Sequence, residues 1–585
     1  MAQAFETDRE RERERIDGRV AFVAAAFVLA FGFAGLLDRV GAPPRLVETV
    51  APCFTVVALG LLGFQLHSMR VSAYYAAGRA MPTEYAGFAL GALAAGLICF
   101  FAPQFAGRGW ILGPAGGVFA GVGIAAVAIG PLLRKSGAFS LSGLFAQRFA
   151  TMTPRLMVLG LSSLCAALIA LAGQQAAADA LTAVFGGGRI AAALAVSIAV
   201  LLIAAPGGLF GTLWTVCAAG AVAILGLGWP VLALALKGAA PFGAGGSVWG
   251  EVAAGLESFG SLAPRSSPGL GLVDMLAAML GVSTLAPLLA PAVASHDPGS
   301  ARRVGVIGFG WTLLFAWLTA ATVAGTTLSL AHQTFGRPPE QLVDAVYDLS
   351  ARRELTLCGA LAPTPVAGHA ACKGGVLKRG DVTLLGDDVL LTGLPALEGM
   401  GAAAAGLASA ARIALAIALA AAGLQAFGTT LGHEALYRLR GATDLTSRRL
   451  ATTRIALIGL ATLGFILSGF IVSDAVALAA LALCFSAGLI APLAGLSLWP
   501  RFADLDALVA LAGGGLGIIT VVAIAGSAHQ AGVLSAASLA GAAGAAAGGV
   551  LSVFARGPER AAPGAAFLRR LLHGDGEVTP RDKGA

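Results

Sequence analysis

Charged residues are scarce in this chain of 585 residues: only 12% are Asp, Glu, Lys or Arg, whereas 57% are hydrophobic. A soluble globular domain is about 25% charged. So few charges cannot coat a soluble particle of this size, and the composition therefore excludes an ordinary soluble protein. The 81 glycines favour helices that pack closely in lipid, because small residues let helix backbones approach each other.

The sequence motifs of several functional classes are also absent. No GxxxxGK[ST] phosphate loop, HExxH or GxSxG motif occurs, so neither ATP hydrolysis nor protease or esterase chemistry is predicted. No histidine lies deep in an apolar run, which argues against haem, and no basic run alternates with aromatic residues as a nucleic-acid groove requires. We therefore expect no enzyme, no nucleic-acid partner and no cofactor beyond a coupling ion.

Long apolar runs occupy most of the chain. About 20 apolar residues are needed to cross about 30 Å of hydrocarbon, and fourteen runs qualify as candidate membrane helices. They cover about 20–37, 46–66, 84–106, 110–133, 155–185, 189–206, 210–236, 270–293, 303–331, 395–428, 449–471, 475–496, 504–526 and 532–554. The prediction is an all-α, polytopic protein of the lipid bilayer.

The loops between these runs alternate between rich and poor in arginine. Cytoplasmic loops carry an excess of Lys and Arg, which places the basic segment 1–19 and the tail 555–585 in the cytoplasm. We expect a multi-pass protein of a bacterial-type inner membrane with both termini inside and no signal peptide. The two long loops, 237–269 and 332–394, then lie outside, where Cys358 and Cys372 could form a disulfide.

The predicted helices divide into two sets of five, 84–236 and 270–496, with additional helix pairs at 20–66 and 504–554. Many secondary transporters consist of two inverted repeats of five helices, and the first helix of each repeat is broken near the midplane. Glycine and proline stand at matching places in the two first helices, namely Gly96 and Pro103 in one and Gly281 and Pro287 in the other. The pattern favours breaks at these positions, with Ser283 and Thr284 beside the second break.

Several short motifs resemble, in order and spacing, those of the sodium:solute symporters, nearest the cation–acetate symporter branch. They are Tyr74 to Arg79 (YYAAGR), Phe139 to Phe149, Gly207 and Gly208 followed by Trp214, Gly281 to Arg303, Gly393 to Pro395 and Gly432 to Tyr437. The resemblance covers about 74–499. It implies an alternating-access symporter of a small solute, for instance a short monocarboxylate such as acetate.

The chain departs from this family at the residues that bind sodium. The resemblance implies paired Ser or Thr hydroxyls in the helix 395–428, where this sequence reads Ala418 to Ala422. Alanine side chains offer no oxygen ligand to sodium. The expectation is a degenerate sodium site, with coupling to sodium at a rearranged site, to a proton or to neither.

Few polar residues interrupt the apolar runs, and ionisable groups within a membrane usually mark function. Arg412 stands within the run 395–428 and could bind a substrate carboxylate, pair with an internal acid such as Asp179 or Asp274, or snorkel to the membrane surface. Gln174 and Gln425 could contact substrate or join helices. The predicted substrate-binding residues are Arg412, Gln174, Gln425, Ser283 and Thr284.

The best functional prediction is a secondary active transporter of a small solute. The alternative is a non-transporting receptor or accessory subunit that kept the fold and lost the ion site. The missing hydroxyls favour the alternative, and the intramembrane arginine and the predicted helix breaks favour transport. The sequence leaves substrate, coupling ion, direction and oligomeric state open.

Overall fold

Helices form nearly all of the structure, a computed structural model that describes residues 2–102, 113–236, 268–378, 380–386, 388–437, 446–471, 474–525, 531–556 and 565–573. The first half contains α1 Ala2–Arg39, α2 Pro44–Gln65, α3 Val71–Ala76, α4 Thr83–Phe100, α5 Pro114–Ile124, α6 Gly130–Lys135, α7 Leu141–Arg148, α8 Met152–Phe185 and α9 Arg189–Leu236. A π-helical turn, Ala125–Ile129, joins α5 to α6.

The second half adds helices and two short strands. They are α10 Pro268–Ser283, α11 Ala286–Val293, α12 Pro298–Thr334, α13 Asp344–Ala351, β1 Leu355–Leu357, α14 Pro365–Cys372, β2 Val382–Leu384, α15 Asp388–Thr392, α16 Leu394–Leu397, α17 Ala402–Gly428, α18 Thr446–Ile466, α19 Ala475–Phe485, α20 Ala491–Ser497, α21 Asp504–Ala525, α22 Ala531–Ala555 and α23 Ala565–His573. Further π-helical turns follow α17, α18 and α19.

The number of membrane crossings agrees with the sequence prediction. Twelve helices of the described chain are long and apolar enough to cross a membrane, and the bent pair α10 and α11 makes thirteen. The 48 residues of α9 would span about 72 Å at 1.5 Å per residue, which is far more than one bilayer. Non-helical backbone at Gly208 (φ 57°, ψ −149°) divides α9, so this helix supplies two crossings and the total becomes fourteen.

The centre of the bundle is α17, which is buried along nearly its whole length. Its alanines and glycines permit close contact with neighbouring backbones. A methyl group placed on Gly173 of α8 would lie 2.7 Å from the carbonyl oxygen of Ala416, and one placed on Gly423 would lie 2.7 Å from the amide nitrogen of Ala170. Helices α8 and α17 therefore touch backbone to backbone, as expected for small residues at helix interfaces in lipid.

Residues 335–401 form a small folded unit, here called the cap, at one face of the bundle. Strands β1 and β2 pair antiparallel, with Leu355 opposite Leu384, and the Cys358–Cys372 disulfide closes the segment before β2. The predicted run 395–428 is therefore too long at its start, because Pro395 belongs to α16 and the membrane helix begins at Ala402. The membrane face that carries the cap is called the cap face below.

Candidate functional site

A helix break lies between α10 and α11, where the chain bends by 43° at Thr284 and Leu285. Pro287 lies in the first turn of α11. It has no N–H to donate to the carbonyl of Ser283, so a continuous helix would lack that bond. Gly281 lies near the end of α10, and a methyl group there would come within 2.7 Å of the Leu483 carbonyl oxygen.

Hydroxyl groups satisfy the polar backbone at this break. The hydroxyls of Thr284 and Ser486 are 2.9 Å apart, and Ser486 Oγ donates to the carbonyl of Gly281 at 2.8 Å. Ser283 Oγ donates to Leu280 O at 2.7 Å. Ser486 begins a π-helical turn, Ser486–Ile490, a feature found frequently at functional sites. Sequence analysis did not identify Ser486, whose only signal is a hydroxyl within an apolar run.

The first helix of the other predicted repeat is continuous where a break was expected. Helix α4 runs unbroken from Thr83 to Phe100, so the prediction that Gly96 marks a break is wrong. A methyl group on Gly96 would lie 3.1 Å from the carbonyl oxygen of Leu415. Gly96 therefore serves close packing of α4 against α17. Pro103 lies outside the described residues.

Gln425 lines a narrow cavity of about 30 Å³ between α17 and the half-helix α11. Its side chain is 1% exposed, and its Nε2 donates to the backbone carbonyl of Tyr74 at 3.0 Å. That carbonyl can only accept, which fixes the orientation of the amide. Gln425 Oε1 has no hydrogen-bond partner among the described residues. Tyr75, Ser140 and Thr429 also line this cavity.

Gln174 lies at a different interface and does not line this cavity. It is fully buried in α8 and packs against Gly464 of α18, where a methyl group would overlap its amide oxygen. Neither amide atom has a partner within the described chain. The structure therefore separates Gln174 from Gln425, although the sequence placed both among the candidate substrate contacts.

Arg412 lies in α17, is 6% exposed and is paired with an acid of the cap. Its Nε donates to Asp388 Oδ1 at 2.8 Å, and its guanidinium lies 5.5 Å from the ring centroid of Phe100. The proposed partners Asp179 and Asp274 are wrong. Asp179 instead accepts from Gln175 and pairs with Arg189 at 2.9 Å.

Under the cap is a cavity of about 320 Å³ that is lined by more acidic than basic residues. Its charged lining residues are Glu48, Asp348, Arg352, Glu354 and Asp388. Arg352 pairs with Glu48 and so joins the cap to α2. Burial, aided by the carboxylates of Asp388 and Glu48 and opposed by Arg352, raises the pKa of Glu354 to about 7.

The segment where the family resemblance places the sodium-binding hydroxyls is tightly packed. Ala418 to Ala422 are all buried in α17. A methyl group on Gly173 would come within 2.7 Å of the amide nitrogen of Ala420, so α8 packs directly against this segment. The described residues also contain no group of three or more His, Cys, Asp or Glu side chains suited to a metal ion.

A solved structure with a similar fold is the substrate-bound, outward-open state of a Na+-coupled sialic acid symporter. Its TM-score is 0.64 and its sequence identity 13%, and the match covers 88% of this chain and 98% of that one. The chain therefore shares its fold with this symporter. At this identity the likeness establishes the fold alone, that of an all-α polytopic membrane protein.

Weaker likenesses exist, and sequence comparison adds none. Structures of mutants of the Eremococcus coleocola manganese transporter cover 83% of this chain at 16% identity, with a TM-score of 0.39. That score is too low to support an argument. Neither a protein-family model nor a curated protein matches the sequence.

Proposed function

We propose that the protein is a secondary transporter that moves a small solute by alternating access. The observation that carries the proposal is the break between α10 and α11 beside the unpartnered Gln425 Oε1. Broken helices at the midplane present backbone dipoles to substrates. A buried acceptor without a partner costs about 1–3 kcal/mol, which a hydrogen-bond donor on a passing solute would offset. The protein would lie in the inner membrane with both termini cytoplasmic.

The substrate class follows from which groups are available. Arg412 is engaged by Asp388, so it does not support carboxylate binding in this conformation. Gln425 Oε1 accepts a hydrogen bond and favours a solute with an N–H or O–H group. Neutral polar solutes that carry such a group are therefore the first class to test, and short monocarboxylates, suggested by the family resemblance, are the second.

Coupling would not use the site between α17 and its neighbours, because Ala418 to Ala422 supply no side-chain oxygen. The oxygens of Thr284, Ser486 and the Gly281 carbonyl form the alternative set for a sodium ion at a rearranged site. If they serve this role, Ser486→Ala should lower the sodium dependence of uptake. Strong sodium dependence that is abolished by a bulky residue at Ala421 would contradict this assignment.

Reconstituted vesicles provide the test. Uptake of labelled acetate and of neutral polar solutes is measured under an imposed sodium gradient, a proton gradient or none. We expect uptake that Gln425→Met reduces strongly and Gln174→Met, the matched control away from the cavity, leaves near the wild-type level. Solute binding without accumulation under every gradient would instead support the receptor alternative.

A further inference from the structure

The cavity of about 320 Å³ under the cap lies between two parts of the molecule. One wall comes from the cap, and the other comes from α2, α8 and the start of α17. Pockets for small molecules have volumes of about 300–1,000 Å³ and are frequent where two folded units meet. The cavity shares no lining residue with the narrow cavity at Gln425, so it is a separate candidate site.

Two of the four carboxylates around this cavity are neutralised by arginines. Glu48 pairs with Arg352, which also lines the cavity. Asp388 pairs with Arg412, which lies in α17 outside the lining, at 2.8 Å. Each guanidinium therefore has a carboxylate of its own, and neither supplies positive charge to the other acidic residues of the lining.

The other two acidic residues of the lining are Asp348 and Glu354. Neither side chain makes an ion pair or a hydrogen bond within the part of the chain that the structure describes. Asp348 is exposed, whereas Glu354 is largely buried, and this burial raises the pKa of Glu354 to about 7. An ionised carboxylate that is withdrawn from water without a partner is costly. A positively charged group in the cavity would offset that cost.

We propose that the cavity under the cap binds a small primary amine, whose ammonium group pairs with Glu354 while Asp348 adds negative charge to the same cavity. A primary ammonium group brings both a positive charge and three N–H donors. The rest of the bundle wall is mostly small and aliphatic, with Ala180, Ala183 and Val184 on α8 and Ala402 and Ala405 on α17. Such a wall suits the short alkyl stem of an amine.

Two other kinds of cation fit the cavity less well. All four acidic residues of the lining belong to the described chain, in which no three His, Cys, Asp or Glu side chains are grouped closely enough to hold a metal ion. Quaternary ammonium ions are typically recognised by aromatic cages, and no aromatic residue is among the described residues that line this cavity. The lining therefore favours an amine with N–H groups.

The test measures dissociation constants by isothermal titration calorimetry at pH 8 on the full-length protein in mild detergent. The probe is n-butylamine, and it is compared with n-butanol, which lacks the charge, and with tetramethylammonium, which lacks the N–H groups. We expect n-butylamine to bind at least about tenfold more tightly than either, since hydrogen bonds to charged groups are the strong ones.

Substitutions in the cap locate the site. Glu354→Gln keeps the shape of the side chain and should weaken n-butylamine binding roughly tenfold. Asp348→Asn should weaken it less, roughly threefold, because that carboxylate is exposed. Glu340→Gln is the matched control, because Glu340 is an exposed carboxylate of the cap that does not line the cavity. It should leave the dissociation constant unchanged.

A proton competes with the amine for Glu354, so affinity should also depend on pH. The other charged groups that act on this carboxyl are Arg352, Asp388 and Glu48. The dissociation constant should rise by up to about tenfold for each pH unit below 7, and Glu354→Gln should abolish this rise.

Two results would overturn the proposal. One is equal affinity for n-butylamine and n-butanol, which would show that the ammonium group is not recognised. The other is binding of n-butylamine that neither Glu354→Gln nor Asp348→Asn weakens, which would place the amine elsewhere. Neither result depends on solute uptake, so the outcome is separate from that of the proposed transport function.

Discussion

Arginine side chains are held differently at the two faces of the bundle. At the cap face they pair with carboxylates: Arg412 with Asp388, Arg352 with Glu48 and Arg189 with Asp179. At the opposite face three arginines donate to backbone carbonyls: Arg134 to Ser295 and His296, Arg79 to Gly137, and Arg148 to Ser497, Trp499 and Phe502. The division is not complete, because Arg556 pairs with Asp506 at the opposite face and Arg189 also donates to the carbonyl of Ser468.

The difference separates a fixed face from an adjustable one. Most of these carbonyls lie at or just beyond the C-terminal ends of α6, α11 and α20, where the last carbonyls of a helix lack partners within the helix. Positive charge also complements the negative end of the helix dipole. Carbonyls do not titrate, whereas carboxylates can be protonated or exchange partners. We infer that the contacts of the cap face, where three arginines pair with carboxylates, respond more to conditions than those of the opposite face.

Arg148 is where we expect the largest effect. It is 3% exposed and its guanidinium donates to three carbonyls at 2.6–3.1 Å. Hydrogen bonds to a charged group contribute about 1.5–3 kcal/mol each, so Arg148→Ala should destabilise the protein by at least ~4 kcal/mol. The folded yield in fluorescence-detected size-exclusion chromatography should fall severely. Arg302 is exposed and gives the control, since Arg302→Ala should accumulate normally. A normal yield of Arg148→Ala would refute the inference that these carbonyl contacts hold the opposite face in place.

Removal of the Cys358–Cys372 disulfide should have the next largest effect on stability. That effect should be confined to the cap. The loop that the disulfide closes has a sequence separation of 14, and closing a loop of that length contributes about 3 kcal/mol. The double variant Cys358→Ser with Cys372→Ser should raise amide hydrogen exchange in β1 and β2. Exchange around Arg148 should stay as in the wild type. Free thiols at both positions in non-reduced protein would contradict the prediction.

The Arg412–Asp388 pair should have a smaller effect, because Asp388 is 27% exposed. Arg412→Ala should cost about 2 kcal/mol of stability, since it leaves Asp388 without this partner. Adding Asp388→Asn should recover much of the loss, as in a double-mutant cycle. Asp274→Asn combined with Arg412→Ala should recover nothing, because Asp274 is not the partner. Equal melting temperatures for wild type and Arg412→Ala would show that the pair contributes no stability.

Features that depend on local chemistry could be predicted from the sequence. The fourteen crossings follow from apolar runs of sufficient length, and the break before Pro287 follows from the missing N–H. The Cys358–Cys372 bridge follows from two cysteines that share one polar loop. Each of these features is decided by residues that are near one another in the chain.

Features that depend on a distant neighbour could not be predicted. A glycine such as Gly96 is typical both of a helix break and of close helix packing, so the sequence does not distinguish the two. Only the position of Leu415 in α17 decides between them. Asp388 lies in a polar segment without hydrophobic periodicity, so the sequence did not predict its ion pair with Arg412. The pairing of Ser486 with Thr284 likewise joins residues that are about 200 positions apart.

The last prediction concerns the pH dependence of stability through Glu354, which lies in the cavity under the cap with Glu48, Asp388 and Arg352. Its pKa is raised from 4.5 to about 7 in the folded protein, mainly by burial. Between these two values the folded cap binds one more proton than the unfolded cap, so stability falls as pH rises through this window and stays lower above it. Glu354→Gln should remove this dependence. The melting temperature of this variant should therefore fall less than that of the wild type between about pH 5 and pH 8. Asp348→Asn is the control, because it removes an exposed carboxylate of the same cavity. Its melting temperature should change with pH as that of the wild type does. A variant with the same slope as the wild type would mean that the cap face responds to pH through another group.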